Sequence, residues 1–191
     1  MPVDFLKLLE ESGAVLHGHF LLTSGRHSDI YFEKFRVLER PDVLSALCTG
    51  IAQNYLPSEF DFVAGPTTGG IIIAFEVARQ MGLPAVYIET ENGQKTLRRN
   101  KTVPAGSRAL VVDDVLTTGQ SLFEARDALA RFGATEPHFA VLIDRSEPNL
   151  DLGAPRFASH RVEAISYAPA EVPEWLAAIP ATKPGTRAAP A

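Results

Sequence analysis

Ala109-Leu110-Val111-Val112-Asp113-Asp114-Val115-Leu116-Thr117-Thr118-Gly119-Gln120-Ser121 is the stretch on which the reading of this chain turns. Four consecutive apolar residues, Ala109 to Val112, describe a strand covered on both faces. Two carboxylates, Asp113 and Asp114, follow where that strand should end. Hydroxyl side chains and a glycine come next, and Ser121 to Phe132 carries the period of a helix, with Gly133 to stop it. In an open α/β sheet, ligands bind beyond the carboxyl ends of the strands. Gly119 lets backbone N–H groups turn toward one point, and the helix N-terminus adds partial positive charge. With Thr117, Thr118 and Ser121 as further donors, this is a phosphate cradle. Two acids beside it suit a ligand with ribose hydroxyls as well as a phosphate. The plainer alternative is an acid pair near a helix N-cap.

Outward from this stretch, strands alternate with helices. Phe60 to Ala64 reads as a strand ended by Gly65-Pro66, Ile71 to Met81 as a helix stopped by Gly82 and Pro84, and Ala85 to Ile88 as a strand. His138 to Ile143 is another strand, and Pro41 opens a helix carrying Val43, Leu44, Leu47 and Ile51. This alternation predicts βαβ units and a mostly parallel sheet. Before it come a short helix over Pro2 to Ser12, a strand over Val15 to Thr23, a turn at Ser24 to Ser28 and a short strand at Ile30 to Phe32. Glu89 to Arg108 reads as one long polar loop with clustered cations, Lys95, Arg98, Arg99 and Lys101. Loops of this length inside a compact domain are functional or disordered. After about Ala181 the chain is rich in Pro, Ala, Gly and Thr, and reads as a mobile tail or a late-docking strap.

Composition narrows the class. With 191 residues, 46% hydrophobic and 21% charged, the chain can build one real core without staples. Cys48 is alone, so no internal disulfide and no multi-cysteine zinc site is available, which fits a reducing compartment. A net charge of −5 argues against a nucleic-acid or membrane-surface partner. The longest apolar run, Ile71 to Phe75, is far short of the ~20 residues that span a bilayer, and no signal peptide is visible. The expectation is a cytoplasmic single-domain protein.

The Ala109 to Ser121 string resembles the 5-phosphoribosyl 1-diphosphate (PRPP) signature of type I phosphoribosyltransferases: a hydrophobic run, two acids, two apolar residues, then a Thr-x-Gly-x-Ser-like segment. Three other segments resemble the orotate phosphoribosyltransferases within that group. Gly18 to Phe32, with its Ser-Gly-x-x-Ser core and following aromatics, looks like their N-terminal hood. Gly65-Pro66-Thr67-Thr68-Gly69-Gly70-Ile71 is similar to their pyrophosphate loop, and Leu142-Ile143-Asp144-Arg145 to the strand that presents an orotate-binding arginine. The segments stand in order from about Leu16 to Ser146. Taken singly, each could be a hairpin turn, a strand-to-helix turn or a strand-end ion pair.

The resemblance implies an α/β fold of the type I phosphoribosyltransferase kind, with a mostly parallel central sheet flanked by helices. It implies one domain over about 1–180, a small hood from about 1–35 plus C-terminal elements, and a mobile tail at 181–191. It assigns PRPP to Asp113, Asp114, Val115, Leu116, Thr117, Thr118, Gly119, Gln120 and Ser121, with Thr67, Thr68, Gly69 and Arg99. Orotate falls to Thr117, Arg145, Tyr31 and Phe32, since arginine offers a planar two-pronged donor to a carboxylate or a ring carbonyl. Catalytic roles fall to Asp113, Asp114, Lys95, Arg98 and Arg99. The implied reaction joins orotate to PRPP, giving orotidine 5′-monophosphate and pyrophosphate in pyrimidine synthesis. Mg²⁺ is the implied cofactor, held by substrate oxygens and water and reached by Asp113 and Asp114 indirectly. The implied assembly is a homodimer whose mobile loop acts across the interface.

The chain departs from the family pattern in four places. Thr23 and Gly69 stand where lysines are frequent. The loop Glu91 to Lys101 lacks the family's histidine, so individual roles of its cations do not transfer. The tail from Glu171 lacks a cysteine pair, and no metal role is carried there. Two alternatives stay open: a phosphoribosyltransferase for another base, and a PRPP-sensing regulator on the same fold that binds nucleic acid.

Overall fold

A computed structural model describes residues 5–22, 24–162 and 166–184. Its frame is a six-stranded sheet built on the apolar run at Ala109. The chain opens with helix α1 (Phe5–Glu11), then strands β1 (Val15–Leu21) and β2 (His27–Phe32), then helices α2 (Lys34–Leu38) and α3 (Pro41–Asn54). Pro41 sits in the first turn of α3, where its missing N–H costs nothing. Strand β3 (Phe62–Pro66), helix α4 (Gly69–Met81), strand β4 (Ala85–Glu91) and strand β5 (Gln94–Thr96) follow. Then come β6 (Arg108–Leu116), α5 (Gln120–Arg131), β7 (Thr135–Asp144), β8 (Arg156–Arg161), β9 (Ser166–Tyr167) and α6 (Glu174–Ala177).

The central sheet has the order β5-β4-β3-β6-β7-β8, parallel throughout except at the β4–β5 edge. Its strands are apolar on both faces because both are covered. Val63, Leu110, Val112, Ala140 and Leu142 point into a core shared with α3 and α4, whereas Phe62, Ala64, Ala109, Val111, Phe139 and Val141 point toward α5. A second, three-stranded sheet, β1-β2-β9, forms the hood. Thr182 bridges to Phe20 of β1, and its N–H donates to the His19 carbonyl at 2.8 Å. The packed chain therefore extends past residue 180, and 185–191 lie outside the described residues.

Several boundaries differ from those expected. β3 runs through Gly65-Pro66 instead of ending there, because the ladder to β4 continues to Pro66 opposite Ile88. β6 does not end at Val112. It carries both acids, with Asp113 opposite Val141 and Leu116 opposite Asp144, so the parallel pairing overrides their polarity. The polar stretch from Glu89 is not one loop. Glu89 to Glu91 pair with Gln94 to Thr96 in a hairpin whose two-residue turn, Asn92-Gly93, has φ of 50° and 79°. Both turn residues thus adopt the positive φ that tight hairpins require. Beyond the hairpin, Leu97 and Val103 are buried in the α5-side core and anchor the rest of the segment.

Candidate active site

The carboxyl ends of β3, β4, β6 and β7 open on one side of the sheet, and the segments singled out in the sequence meet there. Gly119 caps α5 with φ of 80°. A Cβ at that residue would lie 2.7 Å from Leu152 Cδ2 and 3.1 Å from Phe123 Cε2, so both the turn and the packing demand glycine. The Thr117 to Ser121 backbone curls around a cavity of about 360 Å³, which Asp113 and Lys95 also line. Thr117, Thr118 and Gln120 are exposed to it, while Val115 and Leu116 hold the turn against the core.

The two acids are both under a tenth exposed, but successive residues of a strand face opposite ways. Asp113 points toward α5. Its Oδ1 accepts from the Asp114 N–H at 2.9 Å, and the Ser121 hydroxyl bonds to its carboxylate. Burial, and then the Asp114 charge, push the Asp113 carboxyl up to about 6. Asp114 points toward the hood. Its Oδ1 accepts from the Val115 N–H at 2.8 Å, and its Oδ2 lies 2.9 Å from Lys34 Nζ. Lys34 was not anticipated from the sequence. Its only sequence signal is a cation placed directly after the Tyr31-Phe32-Glu33 segment.

Thr67 and Thr68 join β3 to α4, and Gly69 opens that helix beside Asp114. Thr67-Thr68 is a cis peptide. A Cβ at Gly70 would lie 2.6 Å from Pro66 Cδ and 3.0 Å from the Val112 carbonyl, so the glycine lets α4 approach the sheet closely. Lys95 Nζ donates to Thr67 Oγ1 at 3.3 Å, which ties the hairpin to this loop within one chain.

Arg98 and Arg99 do not line the cavity, and both lie near acids of β4. Arg98 pairs with Glu91 at 2.9 Å and with Glu89 at 3.7 Å, and Arg99 approaches Glu89 at 3.6 Å. Among the described residues, Glu89 Oε2 is buried without a hydrogen-bond partner. Lys101 lies 5.6 Å over the Tyr87 ring.

Arg145 follows β7 immediately, and its N–H donates to the Leu116 carbonyl at 2.8 Å. The adjacent Asp144 does not pair with it. Asp144 instead accepts from Arg161 at 3.0 Å and from the Ser146 hydroxyl at 2.6 Å. The Arg145 guanidinium sits 5.4 Å over the Phe32 ring, with its Nε buried and unpartnered. Burial lowers its pKa, against a smaller pull from Tyr31. Burial also raises the Tyr31 phenol, and Glu33 adds to the rise. Among the described residues the hood thus roofs an arginine whose Nε hydrogen bond is unspent, one strand away from the Thr117 to Ser121 turn.

Known proteins point the same way. The phosphoribosyl transferase domain family matches residues 40–157. An orotate phosphoribosyltransferase of Pelotomaculum thermopropionicum is 43% identical over 184 residues, 96% of this chain and 97% of that protein. One from Bartonella quintana is 40% identical over 187 residues, with the same coverage. The crystal structure of orotate phosphoribosyltransferase from Aeropyrum pernix aligns with a TM-score of 0.72 at 29% identity, covering 82% of this chain and 93% of that one. Identity of this depth over nearly the whole length, joined to a cradle, a hood and a waiting arginine on one rim of a parallel sheet, makes this chain a member of the orotate phosphoribosyltransferase family.

Proposed function

We infer that the chain transfers the phosphoribosyl group of PRPP to orotate, giving orotidine 5′-monophosphate and pyrophosphate in de novo pyrimidine synthesis. Arg145 carries the reading: a guanidinium stacked on Phe32, with its neighbouring carboxylate committed to Arg161, beside the Asp113 to Ser121 cradle. A planar donor left unpaired under a hood suits a flat, carboxylated ring.

In the reaction a ring nitrogen of orotate attacks the anomeric carbon as pyrophosphate leaves. Positive charge develops on the sugar and negative charge on the leaving group. The Thr117 to Ser121 cradle holds the 5′-phosphate, and Asp113 and Asp114 accept from the ribose hydroxyls. Thr117, Tyr31 and Phe32 wall the base, and Arg145 fixes its carboxylate or carbonyl. Thr67, Thr68 and Gly69 face the pyrophosphate, with Lys95 already beside Thr67. Arg98 and Arg99 exchange Glu89 and Glu91 for the leaving group. No covalent nucleophile is required, so positioning and fixed charge do the work.

The donor set suits Mg²⁺. Asp113 and Asp114 are hard oxygen donors, and Asp113 is short of positive charge, its carboxyl pushed up by burial and by Asp114. Among the described residues no group of three or more His, Cys, Asp or Glu could form a protein cage, which fits an ion held chiefly by substrate oxygens and water. When bound, the ion supplies neutralisation of the pyrophosphate.

We further propose a homodimer in which Arg98 and Arg99 serve the partner's site. Two features support it. Ile72, Phe75 and Tyr87 are 40%, 64% and 36% exposed along an apolar groove of about 430 Å³. The two arginines do not line the cavity of their own chain. Mixing Arg99→Ala chains with Asp114→Asn chains then restores activity, because one site per mixed dimer keeps both native parts. The cytoplasm is the proposed location, in keeping with a biosynthetic enzyme; among the described residues no helix is long and apolar enough to cross a membrane. The test of the activity is direct: loss of orotate absorbance on mixing with PRPP and Mg²⁺. Turnover of adenine or uracil in place of orotate would refute the base assignment, and no turnover with any base would refute the enzyme reading.

A further inference from the structure

Lys34 is not among the residues the sequence singled out, yet it makes the closest side-chain contact to Asp114. Its Nζ lies 2.9 Å from Asp114 Oδ2, and the Asp114 side chain is 10% exposed against 42% for Lys34. The other Asp114 oxygen is occupied by the Val115 N–H. Together the two contacts leave the carboxylate little freedom to rotate. Gly69 supplies no cation here, and a Cβ at that position would displace the Asp114 carboxylate. The space that a side chain at 69 would need is where Asp114 sits.

Local structure gives the lysine at position 34 only the face of the Phe35 ring, 5.7 Å from its Nζ. Lys34 is the first residue of α2, where the helix dipole disfavours a positive charge. The cap of this helix comes from Glu33, whose Oε1 accepts from the Phe35 N–H at 3.3 Å. The helix start is thus secured without Lys34. The Lys34 and Asp114 side chains meet as an ion pair at 2.9 Å. Lys34 also follows Tyr31 and Phe32 closely, with only Glu33 between. One four-residue segment therefore reaches the arginine of the base site through Phe32 and the acid of the ribose site through Lys34.

We propose that Lys34 is a positioning residue, which holds Asp114 ready for the ribose hydroxyls of PRPP and ties the hood to that acid. The proposal rests on the reading of Asp114 as a PRPP contact. Lys34 acts through Asp114, so its removal weakens PRPP capture more than it slows the chemical step.

The experiment is a double-mutant cycle read by calorimetric PRPP binding in the presence of Mg²⁺ and by steady-state kinetics. Lys34→Met raises the Kd and KM for PRPP about tenfold, the scale of a lost charge-assisted hydrogen bond, with a smaller change in kcat. Lys34→Arg, which keeps the charge, recovers most of the affinity and guards against a folding defect in the methionine variant. In an Asp114→Asn background, Lys34→Met adds no more than about twofold, since the coupled partner is gone. Wild-type PRPP affinity in Lys34→Met overturns the proposal, as does a full, independent effect in the Asp114→Asn background. Wild-type affinity in Asp114→Asn itself would instead overturn the reading of Asp114 as a PRPP contact.

Discussion

Asp113 and Asp114 are adjacent in sequence, equally buried and on the same strand, yet they belong to different halves of the site. Asp113 faces α5 and lines the cavity at the start of that helix, with a hydroxyl and a backbone N–H as its hydrogen-bond donors. Asp114 faces the hood and is held by a lysine. The period of two along a strand divides the pair. One carboxylate is left short of positive charge, and the other is supplied with it by Lys34, the first residue of the helix that follows the hood strands. The difference teaches that two acids in a motif need not act as one unit, and that the hood does more than cover the base.

The largest expected effect tests the cradle side. Asp113→Asn lowers kcat/KM for PRPP by about 100-fold, the scale of losing a preorganised charge at the reacting centre. The same change stabilises the ligand-free protein. The folded-state pKa of Asp113 is raised to about 6, so the folded protein binds this proton more tightly than the unfolded chain. Ionisation of Asp113 therefore costs stability increasingly as pH rises from about 4 through 6, and the cost is full above 6. Thermal melts show Asp113→Asn with a higher Tm than wild type at pH 7.5 and a vanishing difference near pH 4. A lower Tm at pH 7.5 would show that the Ser121 bond outweighs the burial of charge.

Next comes the base end of the hood side. Arg145→Ala raises the KM for orotate roughly tenfold or more, the loss of a charge-assisted hydrogen bond, with a much smaller change in the KM for PRPP. Equal effects on both substrates would remove the distinction between a base site and a ribose site.

Gly69→Ala sharpens the Asp114 comparison from the pyrophosphate loop. The new Cβ pushes the Asp114 carboxylate away from Lys34, and PRPP affinity falls about fivefold, equivalent to roughly 1 kcal/mol. Binding of phosphate alone to the Asp113 side is unchanged, which calorimetry with inorganic phosphate checks.

The smallest effect lies in the hairpin. Gly93 has φ of 79° with open space around it, so Gly93→Ala acts through the backbone alone, at about 1 kcal/mol. Amide exchange at Gln94 to Thr96 becomes faster while that of β6 and α5 stays as in wild type.

Much of the cradle was legible because its signals are local. An apolar run, a glycine that must take positive φ and a helix start follow one another in the chain, and the α5 boundaries fall within a residue of those expected. The hairpin was equally local but was hidden by its polarity: Asn92-Gly93 is a strong turn signal, and the surrounding charges masked it. The strands run on to Pro66 and Leu116, beyond the ends expected from the sequence, for a different reason. Whether a polar residue continues a strand depends on the neighbour to which it hydrogen-bonds, and that neighbour is distant in sequence.

The chain's own residues determined the βαβ order, the glycine-capped turn at Gly119 and the arginine at the end of β7, because backbone geometry and hydrophobic period act over a few positions. Tertiary structure alone decided how those parts are charged and connected. Arg161 takes Asp144 and leaves Arg145 unspent, Glu89 and Glu91 hold the loop arginines, and Lys34 reaches Asp114 across the face of the sheet. Such pairings depend on which side chains meet after the sheet and hood have packed, and an ion pair has no period that a sequence can display.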